Sequence, residues 1–230
     1  MAAIDVVLVT WPNHPKRMEY LRETYRALRE KLTASRHELR WLCSSESEPD
    51  PDAPWLGDTL VQFCADERLP LTWHYGPASL GAGMNTALRA CTADLIFLVQ
   101  DDYLLCEPLD LSDGADVLLA NEPPNMIRYS FPPHEYGIKF LPSPYPGFVQ
   151  VDTFACWCYG DDPALRHRRI LDRYGWFTEG IGHGAEGDMV LRLQRAHANI
   201  LAAERCYFTH AGEVSAIPAR LEKRKRSISR

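Results

Sequence analysis

Leu95-Ile96-Phe97-Leu98-Val99-Gln100-Asp101-Asp102 is the clearest buried strand in the chain, five apolar residues in unbroken succession that run directly into two carboxylates. A run with no polar alternation is what a strand covered on both faces looks like, and such strands belong to parallel sheets flanked by helices. Upstream, Ile4 to Thr10 has the same character. Trp11-Pro12-Asn13-His14-Pro15 then supplies a cap and a helix-start proline, and Met18, Leu21, Tyr25, Leu28 and Leu32 follow at spacings of three and four. A second strand runs through Leu39 to Cys43, and a polar, proline-rich loop covers Glu48 to Pro54. A helix with Leu56, Leu60, Phe63 and Cys64 on one face comes next. Leu71 to Tyr75 reads as a short third strand, Gly76 to Gly83 as a glycine-containing loop, and Met84, Leu88 and Cys91 as a helix face.

Strands alternating with helices predict an α/β fold, a Rossmann-like, doubly wound and mostly parallel sheet whose ligands sit beyond the carboxyl ends of the strands. Asp101 and Asp102 stand at such an end. From Pro108 to Pro146 the pattern reads as long irregular loops rich in proline; Val149 to Tyr159 resumes strand character. Pro163 to Tyr174 and Asp188 to Ala198 read as helices. The expected organisation is one domain over residues 1–219, with a nucleotide-binding half over about 1–105 and an acceptor half over about 106–219, followed by a tail at 220–230.

With 230 residues, 46% hydrophobic and 24% charged, the composition is that of an ordinary globular domain with one sizeable core. No apolar run reaches the roughly 18 to 20 residues that a membrane helix needs. The start Met1-Ala2-Ala3-Ile4-Asp5 also lacks the basic and apolar regions of a signal peptide, so a soluble, cytoplasmic protein with no transmembrane segment is expected. Seven cysteines, an odd number lying mostly in apolar segments, read as reduced buried thiols, and the Cys156 and Cys158 pair lacks the second pair of ligands that a structural zinc site requires. The formal charge is −6, yet the tail from Arg220 to Arg230 sets six basic residues against Glu222 alone. The remainder is therefore strongly acidic, which argues against broad nucleic-acid binding by the fold itself. The tail could meet phosphates or an anionic surface, or simply be solvated.

Two adjacent carboxylates at a strand mouth repel unless something positive is shared between them, and hard oxygen ligands suit Mg²⁺ or Mn²⁺. The alternative is a strand-ending turn with solvated acids. Ser79-Leu80-Gly81-Ala82-Gly83-Met84-Asn85 has glycines that let backbone approach a ligand and an asparagine able to orient a ribose or phosphate; it reads equally as a helix N-terminus with a tight turn. Glu179-Gly180-Ile181-Gly182-His183-Gly184-Ala185-Glu186-Gly187-Asp188 leads into a helix with one more carboxylate than capping uses, which leaves one to serve as a general base. Cys206 to His210 is a short strand-like run whose histidine becomes a candidate metal ligand in the company of Asp101 and Asp102. Trp157, Tyr159 and Trp176 read as a platform for a sugar ring or as core aromatics.

In their order along residues 4 to 213, these segments resemble the GT-A glycosyltransferases, most closely the inverting family 2. Thr10-Trp11 is similar to that family's nucleotide-binding start, and Leu80 to Asn85 to its glycine-rich loop. Gln100-Asp101-Asp102 stands where the family carries its D-x-D metal motif, with Gln100 in place of the first carboxylate. Glu186-Gly187-Asp188 followed by Arg192 resembles the acidic motif that holds the base, split here by Gly187, and His210 matches a histidine that completes the metal site. Where many members carry an aspartate after the second strand, this chain has Ser44-Ser45-Glu46.

The resemblance implies a metal-dependent enzyme that moves a sugar from a nucleoside-diphosphate sugar, UDP- or GDP-linked, to an acceptor hydroxyl with inversion. The acceptor class covers a glycan, a lipid, a small molecule or modified DNA. It implies Asp102 and His210 as ligands of Mn²⁺ or Mg²⁺, and Glu186 or Asp188 as the base. Donor contacts are expected from Thr10, Trp11, Glu46, Gly81, Asn85, Gln100 and Asp101. Two rivals stand beside it. A nucleotidyltransferase forming a sugar nucleotide would normally carry a basic, glycine-rich loop after the first strand, where this chain has Trp11 to Pro15. A non-catalytic protein would bind nucleic acid or membrane through the basic tail.

Overall fold

Alternate residues of the first strand go to opposite sides of one sheet: Ile4, Val6 and Leu8 enter one apolar cluster, Val7 and Val9 the other, all with no exposure. Burial on both faces is why that strand reads as an unbroken apolar run. In this computed structural model the described residues are 1–45, 53–75, 79–120, 124–130, 139–154, 158–159, 162–180 and 184–211.

The chain runs β1 (Ala3–Thr10), α1 (Pro15–Lys31), β2 (Leu32–Thr33), β3 (Glu38–Ser45), α2 (Trp55–Asp66), β4 (Leu71–Trp73), α3 (Leu80–Ala90) and β5 (Leu95–Gln100). It continues through β6 (Tyr103–Leu105), β7 (Leu109–Asp110), α4 (Ser112–Leu119), β8 (Met126–Arg128), β9 (Phe140–Pro142), β10 (Phe148–Val151) and β11 (Ala164–His167). It ends with α5 (Arg169–Tyr174), α6 (Gly184–Arg195), β12 (Ile200–Ala203) and β13 (Phe208–His210). Nine strands form the central sheet in the order β4-β3-β1-β5-β11-β8-β12-β10-β9. The block β4-β3-β1-β5 is wholly parallel, and of the remaining strands only β10 and β11 run against the common direction. The sheet is Rossmann-like and mostly parallel, as the sequence predicts.

α1 and α2 pack on one face through Met18, Leu21, Tyr25, Leu28, Leu56, Leu60 and Phe63, all within the cluster that holds Val6, Phe97 and Val99. α3, α5 and α6 cover the other face through Met84, Leu88, Ile170, Leu171, Met189 and Leu193. His14 caps α1, its Nδ1 accepting from Lys16 N at 3.1 Å, and Pro15 opens the helix. Asp5, buried within β1, accepts from Thr92 N and Ala93 N at 2.6 and 2.7 Å, which ties the start of β5 to β1 without leaving a bare charge.

Several boundaries differ from the sequence reading. Gly81 and Gly83 lie inside the first turn of α3, because Ser79 Oγ caps the helix by accepting from Ala82 N at 3.4 Å. The stretch 108–146 is not loop throughout: it contains β7, α4, β8 and β9, and β8 sits in the middle of the sheet. Three residues carry no periodicity, so β8 is set by its neighbours β11 and β12 and not by its own pattern. The segment expected as one helix from Pro163 to Tyr174 divides into β11 and α5, since β11 is needed between β5 and β8. Strand structure from Phe148 stops at Val151, short of the Tyr159 expected, and α6 begins at Gly184 instead of Asp188. No described helix is long and apolar enough to cross a membrane. Cys43, Cys64, Cys91 and Cys158 are buried thiols, with burial pushing Cys91 up to about 12. Cys156, the Glu48 to Asp52 part of the polar loop, and the tail at 220–230 lie outside the described residues.

Candidate functional site

The sheet reverses its winding beside β1: the chain moves outward through β3 and β4, then returns to place β5 on β1's other side. A ligand crevice forms beyond the carboxyl ends at such a switch point. The residues there are Thr10 and Trp11 after β1, Ser44 and Ser45 at the end of β3, and Gln100 to Asp102 after β5.

Asp101 continues the ladder by donating its N–H to Val9 O at 3.0 Å, and the chain then turns into β6. The Asp101 carboxylate faces inward with 0% exposure. Its Oδ2 accepts from Thr10 Oγ1 at 2.5 Å, its Oδ1 meets Arg17 Nη2 at 2.6 Å, and its carbonyl accepts from Thr24 Oγ1 at 2.8 Å. Asp102, 7% exposed, accepts at Oδ2 from Arg17 Nη1 at 2.8 Å and lies 3.3 Å from His210 Nε2; its buried Oδ1 has no hydrogen-bond partner among the described residues. β13 delivers His210 by pairing antiparallel with β6, which sets His210 opposite Tyr103 with ring centroids 4.9 Å apart. Burial alone would raise the Asp102 pKa, but His210 and Arg17 outweigh it and hold the carboxyl below its ordinary range. The hydrogen bond to Asp102 in turn lifts the His210 imidazole above its ordinary value.

Arg17, 4% exposed, corrects one expectation: the positive group shared between the two carboxylates is a guanidinium supplied by the first turn of α1. A signal for it exists in the sequence. Positions 17, 21, 24 and 28 share one helical face, so Arg17 and Thr24 are polar residues within the buried stripe of Leu21 and Leu28, and both reach the acidic pair. Asp101, expected to face a ribose or sugar, instead spends its carboxylate on the protein.

Asn85 is 1% exposed. Its Nδ2 donates to Phe177 O at 3.0 Å and to Glu179 Oε1 at 2.7 Å, while its Oδ1 accepts from Phe177 N at 3.0 Å. The amide expected to touch a donor therefore clamps α3 to the segment before α6. Gly81 serves the same contact: a Cβ there would stand 2.3 Å from Thr178 O and 3.3 Å from Ala185 Cβ. Gln100 is half-buried at the end of β5, paired with Val9. Trp11 Nε1, after β1, and Ser44 Oγ, at the end of β3, are buried without hydrogen-bond partners among the described residues. Glu46 lies outside the described residues, as do Ile181 to His183.

Glu186 is half-buried in the first turn of α6. Burial drives the Tyr103 phenol pKa up, and the charges of Asp162, Asp102 and Glu186 add to that rise, so each of the three acts electrostatically on this phenol. Asp188 is engaged elsewhere: its Oδ2 accepts from Thr178 Oγ1 at 2.6 Å and pairs with Arg192 Nη2 at 2.9 Å, and these hold it below the usual carboxylate range. Asp162 itself receives Arg128 Nη2 at 2.8 Å and Nε at 3.2 Å, with Ser130 Oγ also donating to it. This buried pair at the end of β8 was not legible in the sequence, because Arg128 lay in a stretch read as loop and Asp162 between a strand reading and a helix reading. Tyr159 is 1% exposed, beside Phe177, and accepts from Arg166, so it is a core residue; Trp176 stacks under Arg89 at 5.1 Å, and Trp157 lies outside the described residues.

Among the described residues no group of three or more His, Cys, Asp or Glu side chains surrounds a common point. The orphaned Asp102 Oδ1 beside His210 still offers a hard cation one carboxylate oxygen and one imidazole, leaving further positions to water and phosphate oxygens. A separate cleft of about 860 Å³ between α1 and α2, lined among others by Arg22, Arg26, Asp58 and Asp66, shares no residue with this constellation.

No family model matches the sequence, and no curated protein matches it. Solved structures do. The mannosyltransferase PcManGT from Pyrobaculum calidifontis, in complex with GDP-Man and Mn²⁺, aligns at TM-score 0.58 and 14% identity over 97% of this chain and 60% of that one. TarS 1-349 of S. aureus aligns at TM-score 0.56 and 14% identity over 90% and 59%. A CMP:2-keto-3-deoxy-manno-octonic acid synthetase complexed with CTP aligns at TM-score 0.56 and 13% identity over 100% of this chain and 99% of that one. The chain thus spans about three-fifths of the first two structures. What these likenesses show is the fold, Rossmann-like and of the GT-A type.

Proposed function

We propose that this GT-A chain is a nucleotide-sugar-dependent glycosyltransferase that transfers a sugar from a nucleoside diphosphate to an acceptor hydroxyl, with a divalent cation bound and with inversion. The observation that carries the reading is Asp102 Oδ1, a buried carboxylate oxygen without a hydrogen-bond partner among the described residues, at the sheet's switch point, on the side chain whose Oδ2 lies 3.3 Å from His210 Nε2. Polar atoms are not left unpaired there without cause. The neighbours support the donor class: PcManGT is solved with GDP-Man and Mn²⁺.

In this reading Asp102 and His210 would hold Mn²⁺ or Mg²⁺, which when bound acts as a Lewis acid that stabilises the departing diphosphate. Glu186 takes the proton from the acceptor hydroxyl. The acceptor oxygen bonds to the anomeric carbon from the face opposite the breaking bond to the diphosphate oxygen, so one displacement inverts that centre. Glu186 is placed as the base because its charge acts on Tyr103, the residue after Asp102, while Asp188 turns to Thr178 and Arg192. Thr10 and Asp101 act one layer down, positioning Asp102 through Arg17.

Calorimetric titration with UDP and GDP, each with and without Mn²⁺, tests this. The expected result is binding of one nucleotide that requires the metal and is lost in Asp102→Ala. Binding of neither, in any metal condition, overturns the donor site. A second reading, a nucleotidyltransferase, is favoured by one observation, the near-complete mutual coverage with the CTP-bound synthetase. It predicts pyrophosphate release from a nucleoside triphosphate and a sugar.

A further inference from the structure

We propose that Arg17 is a positioning residue that sets how tightly the site holds a divalent ion, because its guanidinium occupies the place between Asp101 and Asp102 that a cation would otherwise take. The inference rests on the reading of Asp102 as a metal ligand.

The geometry gives Arg17 one arm for each carboxylate, Nη2 at 2.6 Å from Asp101 Oδ1 and Nη1 at 2.8 Å from Asp102 Oδ2. An arginine cannot shed its proton in a protein, so the charge is permanent. Its burial makes withdrawal unfavourable, since the two carboxylates it covers would be left in a low-dielectric interior without compensation. Asp101 then has no oxygen to offer. Thr10 takes Oδ2, Arg17 takes Oδ1, and the residue has no exposure. Asp102 keeps only Oδ1, and that atom has no hydrogen-bond partner. A pair of aspartates that could present four oxygens to a hard cation presents one.

Affinity for Mg²⁺ or Mn²⁺ rises with the number and charge of the oxygen ligands. A fixed guanidinium subtracts from both. The protein alone therefore holds the ion loosely, and a diphosphate, bringing its own oxygens and charge, completes the site. This differs from a structural role, because a residue that merely stabilises the turn after β5 would weaken ion binding when removed. One that competes with the ion strengthens it.

The test is titration of Mn²⁺ alone, read by the electron paramagnetic resonance signal of the free ion, against wild type, Arg17→Lys and Arg17→Met, each also combined with Asp102→Asn. Arg17→Met is expected to bind Mn²⁺ at least about ten-fold more tightly, the size of a typical coupling between groups in one site. Mn²⁺ should also raise its melting temperature more than that of wild type. Arg17→Lys, which cannot fork across both carboxylates, should show a smaller gain, and it decides the matter if Arg17→Met does not fold. Asp102→Asn should abolish binding in every background. Unchanged or weaker Mn²⁺ binding in both Arg17 variants overturns the proposal. If wild type binds no Mn²⁺ even with nucleotide while an Arg17 variant binds it through Asp102, the competition stands and the metal-dependent function falls. If no variant binds Mn²⁺, both fall.

Discussion

Glu186 and Asp188 are two residues apart at the start of α6, so about 200° of helical rotation points their carboxylates in different directions. Asp188 turns back to Thr178 and forward to Arg192, and Glu186 joins the charges felt by the Tyr103 phenol. Sequence alone left the base open between them, because spacing gives the rotation and not the partner. Replacing Glu186 with Gln is expected to lower kcat by about 10²- to 10⁴-fold, the range for a general base. Nucleotide affinity in the same variant should stay within about three-fold, since in the proposed reaction the group would act on the acceptor's proton and contribute little uniform binding. Asp188→Asn should chiefly lower the melting temperature. Steady-state kinetics on both variants, using the donor that calorimetry identifies, checks the assignment, and a reversal of the two outcomes would move the base to Asp188.

At the scale of elements, α3 meets the segment before α6 with no room to spare. Gly81 has room for no Cβ, because Thr178 O would lie 2.3 Å away, and Asn85 fastens the same contact with three hydrogen bonds. The glycine and asparagine were legible in the sequence as a motif, yet their first service here is to join two elements far apart in the chain. A Gly81→Ala substitution is expected to cost about 1–3 kcal/mol, as overpacking typically does. The obstacle is backbone, which cannot swing aside as a side chain can. A lower urea midpoint with an unchanged slope is the expected result; an unaltered midpoint would show that α3 and the segment before α6 are free to part.

For the molecule as a whole, the join between the parallel block and the mixed half of the sheet runs through β11, antiparallel to both β5 and β8. At the top of that join Arg128 and Asp162 form a buried pair with forked contacts. Removing one partner leaves the other charge uncompensated, so Asp162→Ala should cost about 3–5 kcal/mol in chemical unfolding. The double change Arg128→Met with Asp162→Leu should recover most of the loss. Failure of the double variant to recover would mean that the pair does more than neutralise itself.

The sequence by itself determined the parallel half of the fold and marked the strand edge where the candidate site lies. Val6 to Val9 and Leu95 to Val99 are unbroken apolar runs because helices cover both their faces, and the acids that follow the second run mark a strand edge of the kind where ligands bind. Those signals are local, carried by residues within a few positions of one another. Only the tertiary structure decided the rest. β8 and β11 are too short to have a period, and their identity comes from the strands on either side. The same holds for the acidic pair. Its counter-charge comes from Arg17, 84 positions before Asp101 in the chain, and nothing in the residues around Asp101 announces a guanidinium that reaches them across the crossover from β1.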